Sequence, residues 1–150
     1  MNTIKAFQVD HTKINKGMYI SRVDGDIITY DIRMVKPNTP PYLENAGLHS
    51  FEHLLATYLR NSSISNNIVY VGPMGCRTGF YLVTRALTPL DAIKHTIDAM
   101  KFISEFNGEL PGKSAFECGN YLDHDLNKAK EYGKEMYEIL KDWSTDKLSY

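Results

Sequence analysis

The sequence predicts an α+β fold, an antiparallel sheet packed against helices, and two kinds of pattern carry that prediction. Short runs rich in β-branched and aromatic residues are joined in pairs by turn-forming residues, and longer stretches repeat apolar residues at three-and-four spacing. At 150 residues and 43% hydrophobic, the chain suits one domain, residues 1–150, able to bury roughly 68–70% of its unfolded surface. A net charge of -1 gives no basic footprint for nucleic acid or an anionic membrane. No apolar run is long enough to span a bilayer or to serve as a signal peptide. The expectation is a cytoplasmic protein in which Cys76 and Cys118 act as ligands, catalysts or core thiols rather than as a disulfide.

In chain order, the first strand pair is 18–23 and 26–34, separated by Asp24-Gly25, whose tolerance of positive φ suits a type I′ turn. In the second strand Ile28, Tyr30, Ile32 and Met34 share one face, and Asp31 and Arg33 the other. Arg33 is then either a surface charge, the default for a strand arginine, or a cation held over a site. Pro37, Pro40 and Pro41 stop the sheet, and Asn45 is a candidate cap for the next helix.

That helix, 48–60, places Leu48, Phe51, Leu54, Leu55, Tyr58 and Leu59 on one apolar arc that must be buried. The other arc carries His49 and His53, one turn apart, so both imidazoles reach a single metal ion. Glu52 borders the same face as a metal-side carboxylate or a proton carrier, and Ala56 leaves room beside it. Two His at this spacing also occur as a partly exposed polar stripe. The Glu beside them, and the choice of His over better helix formers such as Lys or Glu, favour the metal. In pattern terms this is H-x-x-E-H, the signature of inverted zinc peptidases.

Strands at 67–72 and 79–87 flank Pro73-Met74-Gly75-Cys76-Arg77-Thr78-Gly79, a loop that holds a thiol at its tip beside Arg77. A neighbouring cation and loop amides favour thiolate, whereas the bland reading makes Cys76 a buried small hydrophobe. Thr88, Pro89 and Asp91 open a helix as cap, first residue and dipole partner. Ile93, Ile97, Met100 and Ile103 form its apolar face, and His95, beside Asp91 and Asp98, reads as solvated. The last helix, about 125–143, carries Leu126, Ala129, Met136, Leu140 and Trp143 as core or subunit contact rather than a site. Just before it, the loop around 116–120 offers Cys118 as a soft ligand. His49, His53 and Cys118 make a His₂Cys set with a fourth position free for water or substrate, the arrangement of a catalytic metal site. Imidazole and thiolate suit zinc, iron and cobalt alike.

His49-Ser50-Phe51-Glu52-His53-Leu54, Pro73 through Tyr81, and Glu117-Cys118-Gly119 resemble the three signature segments of the S-ribosylhomocysteine lyase (LuxS) family. The likeness extends to Phe7-Gln8-Val9-Asp10-His11 and to Asp31-Ile32-Arg33 through Pro37-Asn38, and so covers nearly the whole chain. The resemblance implies a homodimer with active sites at the subunit interface, in the fold shared with H-x-x-E-H peptidases, the LuxS/MPP-like metallohydrolase fold. It implies one divalent metal per subunit on His49, His53 and Cys118, natively Fe²⁺, with Zn²⁺ or Co²⁺ as alternatives. It makes Cys76 and Glu52 the acid–base pair. Arg33, His11 and Arg60 match pocket positions, His11 and Arg60 facing the partner's site, and Phe7 and Tyr81 fall in the matching segments as substrate contacts.

The implied reaction splits the thioether of S-ribosylhomocysteine into homocysteine and 4,5-dihydroxy-2,3-pentanedione, the autoinducer-2 precursor of quorum sensing. Thioether cleavage needs a carbonyl next to the carbon bearing the acidic proton, so the ribose C1 carbonyl must first migrate. Cys76 as thiolate can move protons between carbons, and Glu52 can move them among oxygens, without a redox cofactor. Ala6 and Tyr70 depart from the family, which often has Ser and Asp there, and both touch substrate binding. A zinc metallopeptidase, with Glu52 activating water and Glu117 as third ligand, is the alternative enzyme. A metal-dependent sensor module is the third class.

Overall fold

The computed structural model describes residues 1–150. A short helix α1 (Lys5–Gln8) leads into the hairpin β1 (Gly17–Asp24) and β2 (Ile27–Arg33), followed by the helix α2 (Asn45–Asn61). A second hairpin, β3 (Ile68–Pro73) and β4 (Gly79–Arg85), precedes the helices α3 (Pro89–Glu105) and α4 (Leu126–Leu140). The four strands form one antiparallel sheet in the order β1-β2-β4-β3. This is the expected α+β architecture.

The first hairpin closes differently from the sequence expectation. Asp24 pairs with Ile27, so the two-residue loop is Gly25-Asp26, and of these only Gly25 has positive φ, at 62°. A type I′ turn needs positive φ at both central residues, whereas a type II′ turn needs it at the first. In the second hairpin Gly79 lies opposite Arg33, and a side chain there would strike the carbonyl of Ile32.

The apolar arc of α2 is buried as its periodicity requires, with Phe51, Leu54, Leu55 and Leu59 facing Tyr30 and Ile32 of β2 and Phe80 and Leu82 of β4 in one core. Phe51 and Phe80 meet with ring centroids 5.1 Å apart. Each such side chain contributes about 1.5–3 kcal/mol by leaving water, enough to fix the rotation of α2 and so the direction of its polar arc. The helix starts three residues earlier than expected, and Asn45 lies inside it rather than capping it. At α3 the expected cap forms, with Thr88 Oγ1 accepting the Asp91 N–H at 3.2 Å. Asp125 caps α4 by accepting the Lys128 N–H at 3.0 Å. α2 packs against α3, α4 and β3, and no helix is long and apolar enough to cross a membrane.

The second face of β2 is covered too, by Val9, Ile14 and Tyr150, and both Asp31 and Arg33 are buried. Arg33 is therefore not a surface charge. Period-two alternation separates the faces of a strand but does not say how many of them are buried.

Candidate active site

With its apolar arc pinned to the core, α2 turns His49 and His53 toward the loop before α4, where Cys118 meets them. Cys118 Sγ lies 3.4 Å from His49 Nε2, 4.0 Å from His53 Nε2 and 3.8 Å from His124 Nε2. All four atoms fall within 4.8 Å of one another. A tetrahedral ion about 2.1 Å from nitrogen and 2.3 Å from sulfur sets its donors about 3.4–3.6 Å apart. The donor set fits such an ion in chemistry; Cys118 and His49 already stand at that separation, and the other donors stand wider, within 4.8 Å.

The outer contacts orient the rings. His49 Nδ1–H donates to the Asp123 carbonyl at 2.8 Å, and His53 Nδ1–H donates to the Pro111 carbonyl at 2.9 Å. A carbonyl only accepts, so both rings carry the proton on Nδ1 and turn the Nε2 lone pair into the cluster. Gly112, at φ 71°, lets this loop close on the ring, since an added Cβ would stand 3.1 Å from His53 Nδ1. Glu117, the rival third ligand, is tied elsewhere. Its carboxylate accepts from Ser114 Oγ at 2.6 Å and from the Ser114 N–H at 3.3 Å.

His124 is the residue that sequence reasoning missed, and it stands where a free fourth position was expected. Burial, and then the neighbouring His49 and His53, push its imidazole down to about 4, so the ring is neutral near pH 7, as a ligand must be. The available signal was a His six residues after Cys118 and one before the α4 cap. Glu52 lies half-buried on α2 beside the two ligand His. His95, by contrast, is half-buried outside the cluster, donating from Nδ1 to the Asp91 carbonyl at 2.9 Å.

A second group of residues forms where β2 and β4 meet. The Arg33 guanidinium, 3% exposed, donates from Nε to Asp31 Oδ1 at 3.0 Å and from Nη2 to Asp31 Oδ2 at 2.6 Å. Its Nη1 donates to Thr78 Oγ1 at 2.8 Å, and Thr78 Oγ1 lies 3.0 Å from Cys76 Sγ. A guanidinium only donates, so the Thr78 oxygen accepts from Arg33 and keeps its own proton for the sulfur. Burial opposes the charge of Arg33, but the hydrogen bonds and charge of Asp31 outweigh it and hold the guanidinium above its usual value. Tyr150 Oη adds a bond to Asp31 Oδ2 at 2.7 Å.

Cys76 itself is exposed, which removes the buried-hydrophobe reading. Arg77, the cation expected beside it, donates to the Leu43 carbonyl at 3.3 Å. The cation joined to the thiol by hydrogen bonds is Arg33, through Thr78. Ala6, His11, Arg33 and Tyr81 line one small cleft with Asp31 and Tyr150. Phe7 is 75% exposed, and Arg60 lies on the surface, donating to the Val69 carbonyl at 3.3 Å.

A family model described as S-ribosylhomocysteinase (LuxS) matches residues 4–147. Curated relatives named S-ribosylhomocysteine lyase include one from Clostridium acetobutylicum, 44% identical over 156 residues, covering 100% of this chain and 99% of the relative. Another, from Phocaeicola vulgatus, is 45% identical over 157 residues, with 100% and 98% covered. A third, from Finegoldia magna, is 40% identical over 158 residues, with 100% and 99% covered. A match this long, on a chain that gathers the signature His, His and Cys into one cluster, places the protein in the S-ribosylhomocysteinase (LuxS) family.

Proposed function

We propose that residues 1–150 form one catalytic domain that cleaves the thioether of S-ribosylhomocysteine, releasing homocysteine and 4,5-dihydroxy-2,3-pentanedione. The observation that carries this reading is the pairing of a His–His–Cys cluster with a second, exposed thiol held by a buried cation. A peptidase has no use for that thiol, and Cys118 rather than Glu117 joins the two His.

A divalent metal on His49, His53 and Cys118, Fe²⁺ by the family resemblance, would supply Lewis acidity to the carbonyl beside the carbon that loses a proton. The proton work falls to the chain. Cys76 takes the proton from one carbon as thiolate and returns it to the next, moving the carbonyl along the sugar. Thr78 steadies the sulfur anion by donating its hydroxyl proton as a hydrogen bond, and Arg33 fixes the direction of that hydroxyl by occupying its lone pair. Glu52 carries protons between the oxygens and then assists loss of homocysteine from the carbon β to the new carbonyl. Phe7 and Tyr81 are substrate contacts, Tyr81 at the cleft that His11 and Arg33 also line.

His11 and Arg60 act at a neighbouring copy's site, in a homodimer whose interface is supported by the exposed apolar side chains Phe7, Tyr70, Phe116 and Leu122. Two free thiols fit a reducing, cytoplasmic setting. Release of free thiol from S-ribosylhomocysteine by the iron- or cobalt-loaded protein, followed colorimetrically, tests the assignment. Stoichiometric metal without thiol release would refute it.

A further inference from the structure

Tyr150 is the far end of the hydrogen-bonded chain that reaches Cys76, and it is held from behind. Two residues earlier, the Leu148 carbonyl accepts the Ile20 N–H at 2.7 Å and ties this segment to β1. The Tyr150 ring then stacks on Tyr19, with centroids 5.1 Å apart and planes 21° from parallel. Tyr19 is itself fixed, donating its hydroxyl to the Asn15 carbonyl at 2.9 Å and meeting Trp143 edge-on at 5.9 Å. These contacts aim the phenol inward, where its Oη lies 2.7 Å from Asp31 Oδ2.

An ionised carboxylate only accepts, so the phenol is the donor. Burial and the bonded Asp31 carboxylate hold it well above the ordinary tyrosine range, and the proton stays in place near pH 7. Asp31 then receives Arg33 Nε on one oxygen, and Arg33 Nη2 together with Tyr150 on the other. Asp31 and Arg33 stand two residues apart on one strand, so the pair alone can tilt as a unit. A donor from outside the strand fixes the carboxylate plane and, through the two parallel bonds, the guanidinium plane. That plane sets whether Nη1 points at Thr78 Oγ1, 2.8 Å away. The phenol also draws on the negative charge of Asp31. More of the guanidinium's positive charge is then left to act on the Thr78 hydroxyl and on the sulfur 3.0 Å beyond it.

We propose that Tyr150 is a positioning residue for the thiolate of Cys76, acting through Asp31, Arg33 and Thr78 without touching the reacting carbons. This rests on the proton-carrying role of Cys76 given above and extends the machinery behind it to a residue of the last segment of the chain. Tyr150 also lines the cleft with Tyr81 and His11, so a wall that touches substrate is the competing role. A wall moves KM alone, whereas a positioning residue moves kcat and the reactivity of the thiol in the absence of substrate.

Tyr150→Phe keeps the ring stack and removes only the hydroxyl. In the metal-loaded protein its Cys76, read by peptide mass, should react with iodoacetamide at pH 7 about two- to fivefold more slowly than in the parent, part of the effect of one hydrogen bond to a charged group. The kcat for S-ribosylhomocysteine should fall by a similar factor while KM holds. In a Thr78→Val background the same substitution should leave alkylation unchanged, because the path to the sulfur is already cut. Parental alkylation and kcat in Tyr150→Phe, whatever its melting temperature, would overturn the proposal. So would a slowing that persists in full beside Thr78→Val, or a rise in KM alone. Alkylation reads the protein without substrate, so a parent that releases no thiol from S-ribosylhomocysteine would refute the proposed function while the alkylation rates still decide whether Tyr150 reaches Cys76.

Discussion

The two clusters that carry the chemistry are built in opposite ways. The His–His–Cys cluster hangs on one helix spacing and one loop, is half-exposed, and gains its order from backbone carbonyls behind the rings. The Asp31–Arg33–Thr78 group is buried, joins a period-two pair on β2 to the residue before β4 through strand register, and ends in an exposed thiol. The first can bind an ion and the second can hold an anionic sulfur. The two cysteines differ in what lies behind them, imidazoles for Cys118 and a threonine hydroxyl held by a buried guanidinium for Cys76.

The largest effect expected from breaking this division is on the first cluster. Cys118→Ala or His53→Ala should sharply weaken metal binding and abolish turnover, because each removes one donor from the four-residue cluster and turns the proposed substrate-facing geometry of the ion. Metal content by elemental analysis beside thiol release measures both. Undiminished metal affinity together with undiminished turnover in either variant would break the assignment.

Next comes the buried pair. Arg33→Met leaves the Asp31 carboxylate in the interior without its cation and should cost about 3–5 kcal/mol of stability by denaturant unfolding, along with turnover. The milder Thr78→Val keeps that pair but removes the hydroxyl that faces Cys76 and accepts from Arg33 Nη1. Its orphaned buried donor should cost about 1–3 kcal/mol, less than Arg33→Met, and the folded variant should react with iodoacetamide about five- to tenfold more slowly at pH 7, the size of one lost hydrogen bond of about 1–1.5 kcal/mol. Unchanged alkylation in Thr78→Val would mean that the buried cation does not reach the thiol.

The smallest effect is on pH. Burial, together with the Asp31 carboxylate that it bonds, pushes the Tyr150 phenol well above the ordinary tyrosine range, and burial pushes Tyr30 up to about 12. Groups with raised folded values contribute their stability below the unfolded value near 10 and lose it as pH rises beyond. Melting temperature should therefore fall above pH 10, less steeply in Tyr150→Phe, which has no phenol proton to lose. Parallel curves for parent and variant would remove Tyr150 from the network.

The same contrast explains what the sequence could disclose. Helical period fixed α2, its buried face and its paired His, because a helix encodes its neighbours locally. The strands and the capped start of α3 were legible for the same reason. That Asp31 and Arg33 share a face was also legible, but their burial was not. The second face of β2 lies by Ala6, Val9 and His11 at one end of the sequence and Tyr150 at the other, a proximity no local pattern records. His124 carries no periodic signal, because it precedes the Asp125 cap and so lies outside the repeat that marks the apolar face of α4. Adjacency in sequence points to Arg77 as the partner of Cys76, whereas the hydrogen bonds reach it from Arg33 across the sheet.

The division of labour between the two thiols is tested most directly by limited alkylation of the metal-loaded protein, with the modified cysteine, the metal content and the turnover of S-ribosylhomocysteine read on the same sample. Exposed Cys76 should be labelled first, turnover should fall in proportion to that label, and metal should stay bound while Cys118 remains protected. Protein labelled fully on Cys76 that still turns over substrate, or that releases its metal on labelling, would contradict the account.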